Sequence, residues 1–376
     1  MAKATGLNFV AVGERGGHPA WLLEVELSHT ILGWIEWYAV RQCYILRPEF
    51  YTNWSPDHLR DVADQRRGGI PYCDETWNPA IGCSPASAGC ANCWAQRQAL
   101  RQCGVGGLYH GLVDEGRWTG RTRLNERVLD APMRWREPRT VLVASMGDLF
   151  HESRSDADID RVFAVMALAP QHRFLVLTKR AERMRDYVAD ETAVGHKGTG
   201  LRVWHQQLDV ATEWDLARTR PGCRYPSEFT RRGQEIWPLP NVRIGVSVED
   251  QATADERYEA LRDTPAALRW WSVEPCLGPI PHLSLEGIGH VVVGGESGPH
   301  ARPCDVAWLR DIVRQCKAAG VAVYVKQLGA NPFDGGVDCG FPNSHFGARA
   351  ISLCDRAGAD PSEWPSDLNV REVPRE

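Results

Sequence analysis

Within TWNPAIGCSPASAGCANCWAQR, residues 76–97, three cysteines stand at C-x6-C-x2-C spacing: Cys83, Cys90 and Cys93. Gly82, Gly89, Pro79 and Pro85 surround them, so the segment reads as a turn-rich loop able to point three sulfurs at one centre before it enters a helix-like stretch. Thiolates are preferred ligands of iron–sulfur clusters and also bind zinc. Structural zinc takes a closed set of four ligands, whereas a catalytic centre keeps one position open. Cys73 upstream or Cys103 downstream can close a zinc site, and buried structural thiols are the third reading.

The chain has 376 residues, 43% hydrophobic and 24% charged, with a formal net charge of −5, 12 Cys and 15 Trp. This is an ordinary globular composition, which excludes an intrinsically disordered chain and a globally basic nucleic-acid binder but leaves room for a local basic face. The most apolar stretch, Ala20 to Val40, is interrupted by Glu24, Glu26, His29 and Glu36, so no membrane span is predicted. The N-terminus lacks an apolar run with a small-residue cleavage site. A cytoplasmic location follows as the expectation, and clustered thiols in a reducing compartment mean metal or catalysis rather than disulfides.

The elements that must position these cysteines begin near residue 139, where β-rich runs alternate with helical periodicity. Strands are predicted at Thr140–Ser145, Phe174–Thr178, Val242–Val248, Arg269–Val273, His290–Val293 and Val321–Val325, and helices at Ala157–Leu168, Ala181–Val188, Gln251–Arg262 and Val306–Ala319. The predicted fold is α/β: a partial or complete TIM-like (βα) barrel over residues 71–329, with an N-terminal extension (1–70) of unclear structure and a tail (330–376) packed on the barrel. An insertion at 190–238 carries Arg218, Arg220, Arg224, Arg231 and Arg232, and a loop of that length is usually functional or independently folded. Chemistry in such barrels collects at the C-terminal strand ends. The residues there are Gly147, Asp148, Lys179, Ser247, Glu249, Glu274, Gly294, Gly295, Glu296, Lys326 and Gln327. Each has a plainer competing role: Asp148 as a helix cap, Lys179 as a solvated cation, Gly294–Gly295 as a turn. Trp77, Trp94, Trp270 and Trp271 can stack on a nucleobase, although most tryptophans fill or cover a core.

The string TWNPAIGC…GCANCW resembles the signature of a radical S-adenosylmethionine (SAM) family of phage and bacterial proteins, the phage Gp thirty-seven/Gp sixty-eight family, itself distantly similar to spore photoproduct lyase. Further blocks resemble it in order: LNERVLDAPMRWREPRTVLVASMGDLFHE, FLVLTKRAERM, WPLPNVRIGVSVEDQ, WWSVEPCLGPI, VVVGGESGPHARPCDVAWLRDIVRQCKAAGV, YVKQLG and ADPSEWPSDLNVRE. Residues 1–70 and much of 190–236 fall outside it. The resemblance implies a 4Fe-4S cluster on Cys83, Cys90 and Cys93, with SAM at its open iron. It implies Gly147 and Asp148 near the SAM amino group, Lys179 near its carboxylate or a phosphate, Ser247 and Glu249 at a ribose hydroxyl, and Gly294, Gly295 and Glu296 against adenine or phosphate. Glu274, Lys326 and Gln327 would face substrate. Two departures stand out: the spacing is not the commoner C-x3-C-x2-C, and Asp148 replaces the Glu of a Gly-Glu motif.

The implied activity is reductive cleavage of SAM to a 5′-deoxyadenosyl radical, with isomerase- or lyase-type chemistry on a DNA nucleobase or nucleotide. Radical rearrangement of a glycyl-type substituent on a hypermodified thymine in phage DNA is one candidate. The reaction needs an external electron donor, and the insertion's arginines can contact phosphates. The alternatives are a radical SAM enzyme modifying a peptide or small molecule, and a non-enzymatic, zinc-stapled nucleic-acid-binding module. Cys223, Cys276, Cys304, Cys316, Cys339 and Cys354 are scattered and read as ordinary buried thiols.

Overall fold

The computed structural model describes residues 6–15, 18–25, 34–38, 43–46, 70–190, 203, 237–335 and 349–374. The chain divides into two compact units, residues 1–69 and 70–376. In the first, Gly6–Arg15 pairs antiparallel with His18–Val25, and Trp34–Tyr38 with Cys43–Leu46. The arginines of the 190–238 insertion lie outside the described residues.

The second unit is built on seven parallel strands that follow one another in chain order across a curled half-barrel sheet: β1 Glu75–Trp77, β2 Thr140–Val143, β3 Arg173–Thr178, β4 Val242–Val248, β5 Leu268–Val273, β6 Ile288–Gly294 and β7 Ala322–Gln327. This is the α/β architecture of a partial TIM-like barrel. Six of the strands coincide with the apolar runs of the sequence; β1 is only three residues long and carries no such run. Helices α1 Trp94–Leu100, α2 Asp156–Leu168, α3 Ala181–Val188, α4 Gln251–Asp263 and α5 Val306–Ala319 alternate with the strands, except that residues 274–287 join β5 to β6 without one.

Both faces of the sheet are buried, which is why its strands read as nearly continuous apolar runs. Val141, Val143, Phe174, Val176, Val291 and Val293 face the helices in the main core. The alternate residues Leu142, Leu175, Trp270, Val292 and Tyr324 point inward and pack with Tyr72. The Trp270 ring occupies the space that a side chain at Gly245 of β4 would need, so a glycine in one strand and a tryptophan in the next fill the barrel interior together. Ser155 caps α2, Asp250 and Thr253 form a capping box on α4, and Asp305 caps α5, which fixes where each helix leaves the strand ends.

The tail covers the outer edge of β7. Val325 N donates to Val370 O at 2.8 Å, Glu372 N to Val323 O at 3.0 Å, and Trp364 and Leu368 enter the main core. An edge strand paired in this way offers no free template for another chain.

Candidate active site

The cysteine loop lies across the C-terminal ends of the strands and is fastened at three places. At its start, Gly82 adopts φ 87° and bridges Gly147, with Gly82 N donating to Met146 O at 3.4 Å. A side chain at Gly147 would lie 2.6 Å from Ala80 O and 3.0 Å from Gly82 O, so the glycine lets the loop backbone reach the turn after β2.

The middle of the loop rests on β3 and β4. Ser87 Oγ donates to Glu249 Oε1 at 2.7 Å, Lys179 Nζ donates to Ser87 Oγ at 3.1 Å, and Lys179 forms an ion pair with Glu249. Arg257 Nη1 lies 3.5 Å from the other Glu249 oxygen. Glu249 is fully buried, so its charge is tolerable only because cations and a hydroxyl surround it.

The end of the loop is tied to the segment after β6. Asn92 Nδ2 donates to Glu296 Oε2 and to His300 O, both at 2.9 Å. Arg302 donates to Glu296 and, through Nη1, to Ala88 O at 2.9 Å. Burial opposes the charge of Glu296, but the hydrogen bonds from Arg302 and Asn92 hold its carboxyl below the usual range. Helix α1 then starts directly after Cys93 and buries Ala95 and Ala99 against Ile81, Tyr109 and Trp118.

These fastenings bring Cys83, Cys90 and Cys93 to the wall of one cavity of about 230 Å³. Gly147, Asp148, Lys179, Ser247, Glu274, Gly295, Glu296, Lys326 and Gln327 line the same cavity. Glu249 and Gly294 stand behind that lining.

Several of these groups are already engaged by the protein. Asp148 accepts from Thr178 Oγ1 at 2.7 Å, from the amides of Phe150 and Lys179, and from Arg180 Nη1 at 3.0 Å, so its carboxylate organises the end of β3. The space a side chain at Gly295 would need is taken by Leu328 O, so the glycine serves contact between β6 and the end of β7. Ser247 Oγ donates to Glu274 O at 3.4 Å and Gln327 Nε2 to Gly295 O at 2.9 Å. Lys326 Nζ is ion-paired with Glu274 Oε1 at 2.9 Å.

The three thiols are not equivalent. Burial pushes Cys83 up to about 12, with Asp148 adding to the shift and Arg180 opposing it. Burial also opposes the Cys90 thiolate, but the Lys179 ammonium and hydrogen bonds from residues 86 and 87 outweigh it and draw this thiol below its ordinary value. Burial in turn draws the Lys179 ammonium below the usual lysine range. Among the described residues, no three His, Cys, Asp or Glu side chains are gathered at metal-binding distances.

Sequence reasoning missed Ser87 and Asn92, which sit inside the cysteine spacers, and Arg257 and Arg302, whose positions carry no local signal. Of the flagged tryptophans, Trp77, Trp270 and Trp271 are core, whereas Trp94 lines the cavity and is 41% exposed. Cys276, Cys304 and Cys316 are buried as expected; Cys354 is exposed, and Cys223 and Cys339 lie outside the described residues.

Among the described residues no helix is long and apolar enough to cross a membrane. No curated protein and no solved structure matches the chain. The model of a protein family of unknown function, DUF5131, matches residues 67–345, and the chain belongs to that family.

Proposed function

We propose that this protein is a radical SAM enzyme acting on a nucleobase, with isomerase- or lyase-type chemistry. The observation that carries the reading is the meeting of Cys83, Cys90 and Cys93 with strand-end polar residues around one cavity of a half barrel. Catalytic groups of (βα) barrels lie at that end. The nucleobase rests on the resemblance to the spore photoproduct lyase relatives.

The donor set suits a 4Fe-4S cluster by its chemistry: residues 79–93 offer three thiols and no imidazole or carboxylate. Cys83, Cys90 and Cys93 would hold it. When bound and reduced by an external electron donor, the cluster supplies with SAM a 5′-deoxyadenosyl radical for hydrogen abstraction.

The chain's own residues prepare the place for that chemistry. Lys179 sets a buried positive charge beside Cys90, favouring the ionised form of that thiol. Arg180 Nη1, 3.8 Å from Cys83 Sγ, adds a second cation held by Asp148. Ser87, Asn92 and Gly89 fix the loop on β3, β4 and the segment after β6, so the cysteines line the cavity at the strand ends. Anaerobic reconstitution tests the assignment: the protein should take up iron and sulfide and turn brown, and Cys→Ala at any of the three positions should abolish uptake. A protein that binds one zinc and no iron contradicts it.

A further inference from the structure

Residues 94–124 form a small structure of their own beside the cysteine loop. Helix α1 leads into the loop 101–107, a hairpin pairs Val113–Asp114 with Arg117–Trp118, and Arg123–Leu124 pairs with Ala80–Ile81. Trp118 N donates to Gln96 Oε1 at 3.2 Å, which holds the hairpin on α1. Ala99, Leu112 and Trp118 belong to a core separate from that of the barrel, and Cys83 and Cys93 pack against it. The exit of the hairpin reaches the cysteine loop directly: Gly120 N donates to Cys83 O at 3.2 Å, and Arg121 O lies against Gly82.

The surface of this structure combines two features. Leu100 is 47% exposed and Val105 95%, and of the four large hydrophobic side chains exposed among the described residues, these two and Trp94 stand on α1 and the loop after it. Around them the charge is positive: residues 97–123 carry five arginines against Asp114 and Glu115, in a chain of net charge −5. Arg101 adjoins Leu100 in sequence, and Leu100 Cδ2 is 4.0 Å from where a Cβ at Gly116 would stand, next to Arg117. Arg101, Arg117 and Arg121 are exposed, and no described residue forms an ion pair or hydrogen bond with their guanidinium groups. An apolar centre with a charged rim is the anatomy of a protein interface. Neither Leu100, Val105 nor the three arginines line the cavity, so the face is separate from the place a small molecule would occupy.

We infer that this face is the docking surface for an acidic one-electron carrier protein, with Leu100 and Val105 at its centre and Arg101, Arg117 and Arg121 at its rim. The inference rests on the cluster reading above and adds the partner's chemistry and its place of entry. The arginines call for an anionic partner, and the contact of residues 120–121 with Gly82 and Cys83 puts that partner beside the cysteines. A phosphate backbone fits the face less well, because Asp114 and Glu115 at the hairpin tip repel it and the apolar centre offers it no charge. Electron carriers bind through small, short-lived interfaces, for which two apolar side chains and three charges suffice. In the step itself one electron leaves the reduced carrier, which is oxidised by one electron, and enters the centre held by Cys83, Cys90 and Cys93, which is reduced by one. No covalent bond forms or breaks.

The probe is a bacterial flavodoxin, a small acidic flavoprotein, and two measurements are made on the full chain. Calorimetric binding to the metal-free protein should be detectable at low salt and weaken as salt rises. Stopped-flow reduction of the reconstituted protein is followed with the fully reduced flavodoxin and, separately, with dithionite. Reversal of the rim charges (R101E, R117E and R121E together) should weaken binding and slow flavodoxin-driven reduction by about tenfold or more, the low end of electrostatic steering, with the dithionite rate unchanged. Leu100→Ser with Val105→Ser, which leaves the charge intact, should raise the dissociation constant several-fold. R314E, a charge reversal on the exposed side of α5, should change neither measurement. Flavodoxin-driven reduction that is absent, insensitive to salt or unaffected by both face variants overturns the inference, as does equal slowing with dithionite. Displacement of the flavodoxin by a single-stranded oligonucleotide assigns the face to nucleic acid and overturns it too. If instead dithionite yields no 5′-deoxyadenosine from SAM, it is the radical SAM reading that fails, whatever the flavodoxin does at this face.

Discussion

Gly89 and Glu249 meet with no room for a side chain between them: a methyl group on Gly89 would overlap the Glu249 carboxylate and lie 2.6 Å from Lys179 Nζ. The cysteine loop is therefore seated directly on a buried ion pair that joins β3 to β4. Gly89→Ala must push the loop off that pair, at a cost of about 1–3 kcal/mol. Denaturant unfolding should show a lower midpoint, and reconstitution should yield less iron per chain. Unchanged midpoint and iron content would show that the loop is not held there.

The cysteines should react in a defined order in the iron-free protein. Lys179 and amide donors draw Cys90 down, while burial drives Cys83 up to about 12. Because the thiolate is the nucleophile, limited iodoacetamide treatment at neutral pH followed by peptide mapping should find Cys90 alkylated well before Cys83. Lys179→Met should slow Cys90 selectively. The reverse order, or indifference to Lys179, would contradict this electrostatic picture.

The Arg180–Asp148 pair, at 3.0 Å with both side chains 6% exposed, closes the end of β3. Asp148→Asn leaves the guanidinium with only the largely exposed Glu152 carboxylate as an anionic partner. Removing one member of a buried pair costs about 3–5 kcal/mol. A matching fall in unfolding free energy is expected, and a fall below about 1 kcal/mol would mean that water replaces the carboxylate readily.

His290, buried in β6, is held down to about 4, first by burial and then by Arg243. Its folded value lies below its unfolded one, so the unfolded chain binds the extra proton. The stability from keeping it neutral is complete above about pH 6.5 and is lost as pH falls toward 4, amounting to about 3 kcal/mol. Unfolding curves across that window should be shallower in pH for His290→Gln. An identical acid limb in both proteins would place the effect elsewhere.

The fold was legible where one force dominates. Strands buried on both faces write themselves as runs such as VRIGVSV and HVVVG, and α3 and α5 begin and end where their periodicity begins and ends. Strand β1 was invisible because Glu75–Trp77 takes its pairing from β2 and its burial from neighbours far along the chain. Much of the site was legible for a related reason: parallel strands in chain order carry their final residues to one rim, so Lys179, Glu249, Glu274 and Lys326 could be listed without coordinates. Their partners could not. Whether Asp148 meets a ligand or Arg180, and whether Gly295 makes room for a ligand or for Leu328, depends on side-chain reach across strands. Arg257 and Arg302 enter the site through contacts that no local pattern encodes.

The most direct measurement is 5′-deoxyadenosine release from SAM by the anaerobically reconstituted protein with dithionite as reductant. The account predicts release that requires Cys83, Cys90 and Cys93 together and that is lost when any one is replaced by alanine. A protein that loads zinc in place of iron, or that loads iron and leaves SAM intact under reduction, would contradict it.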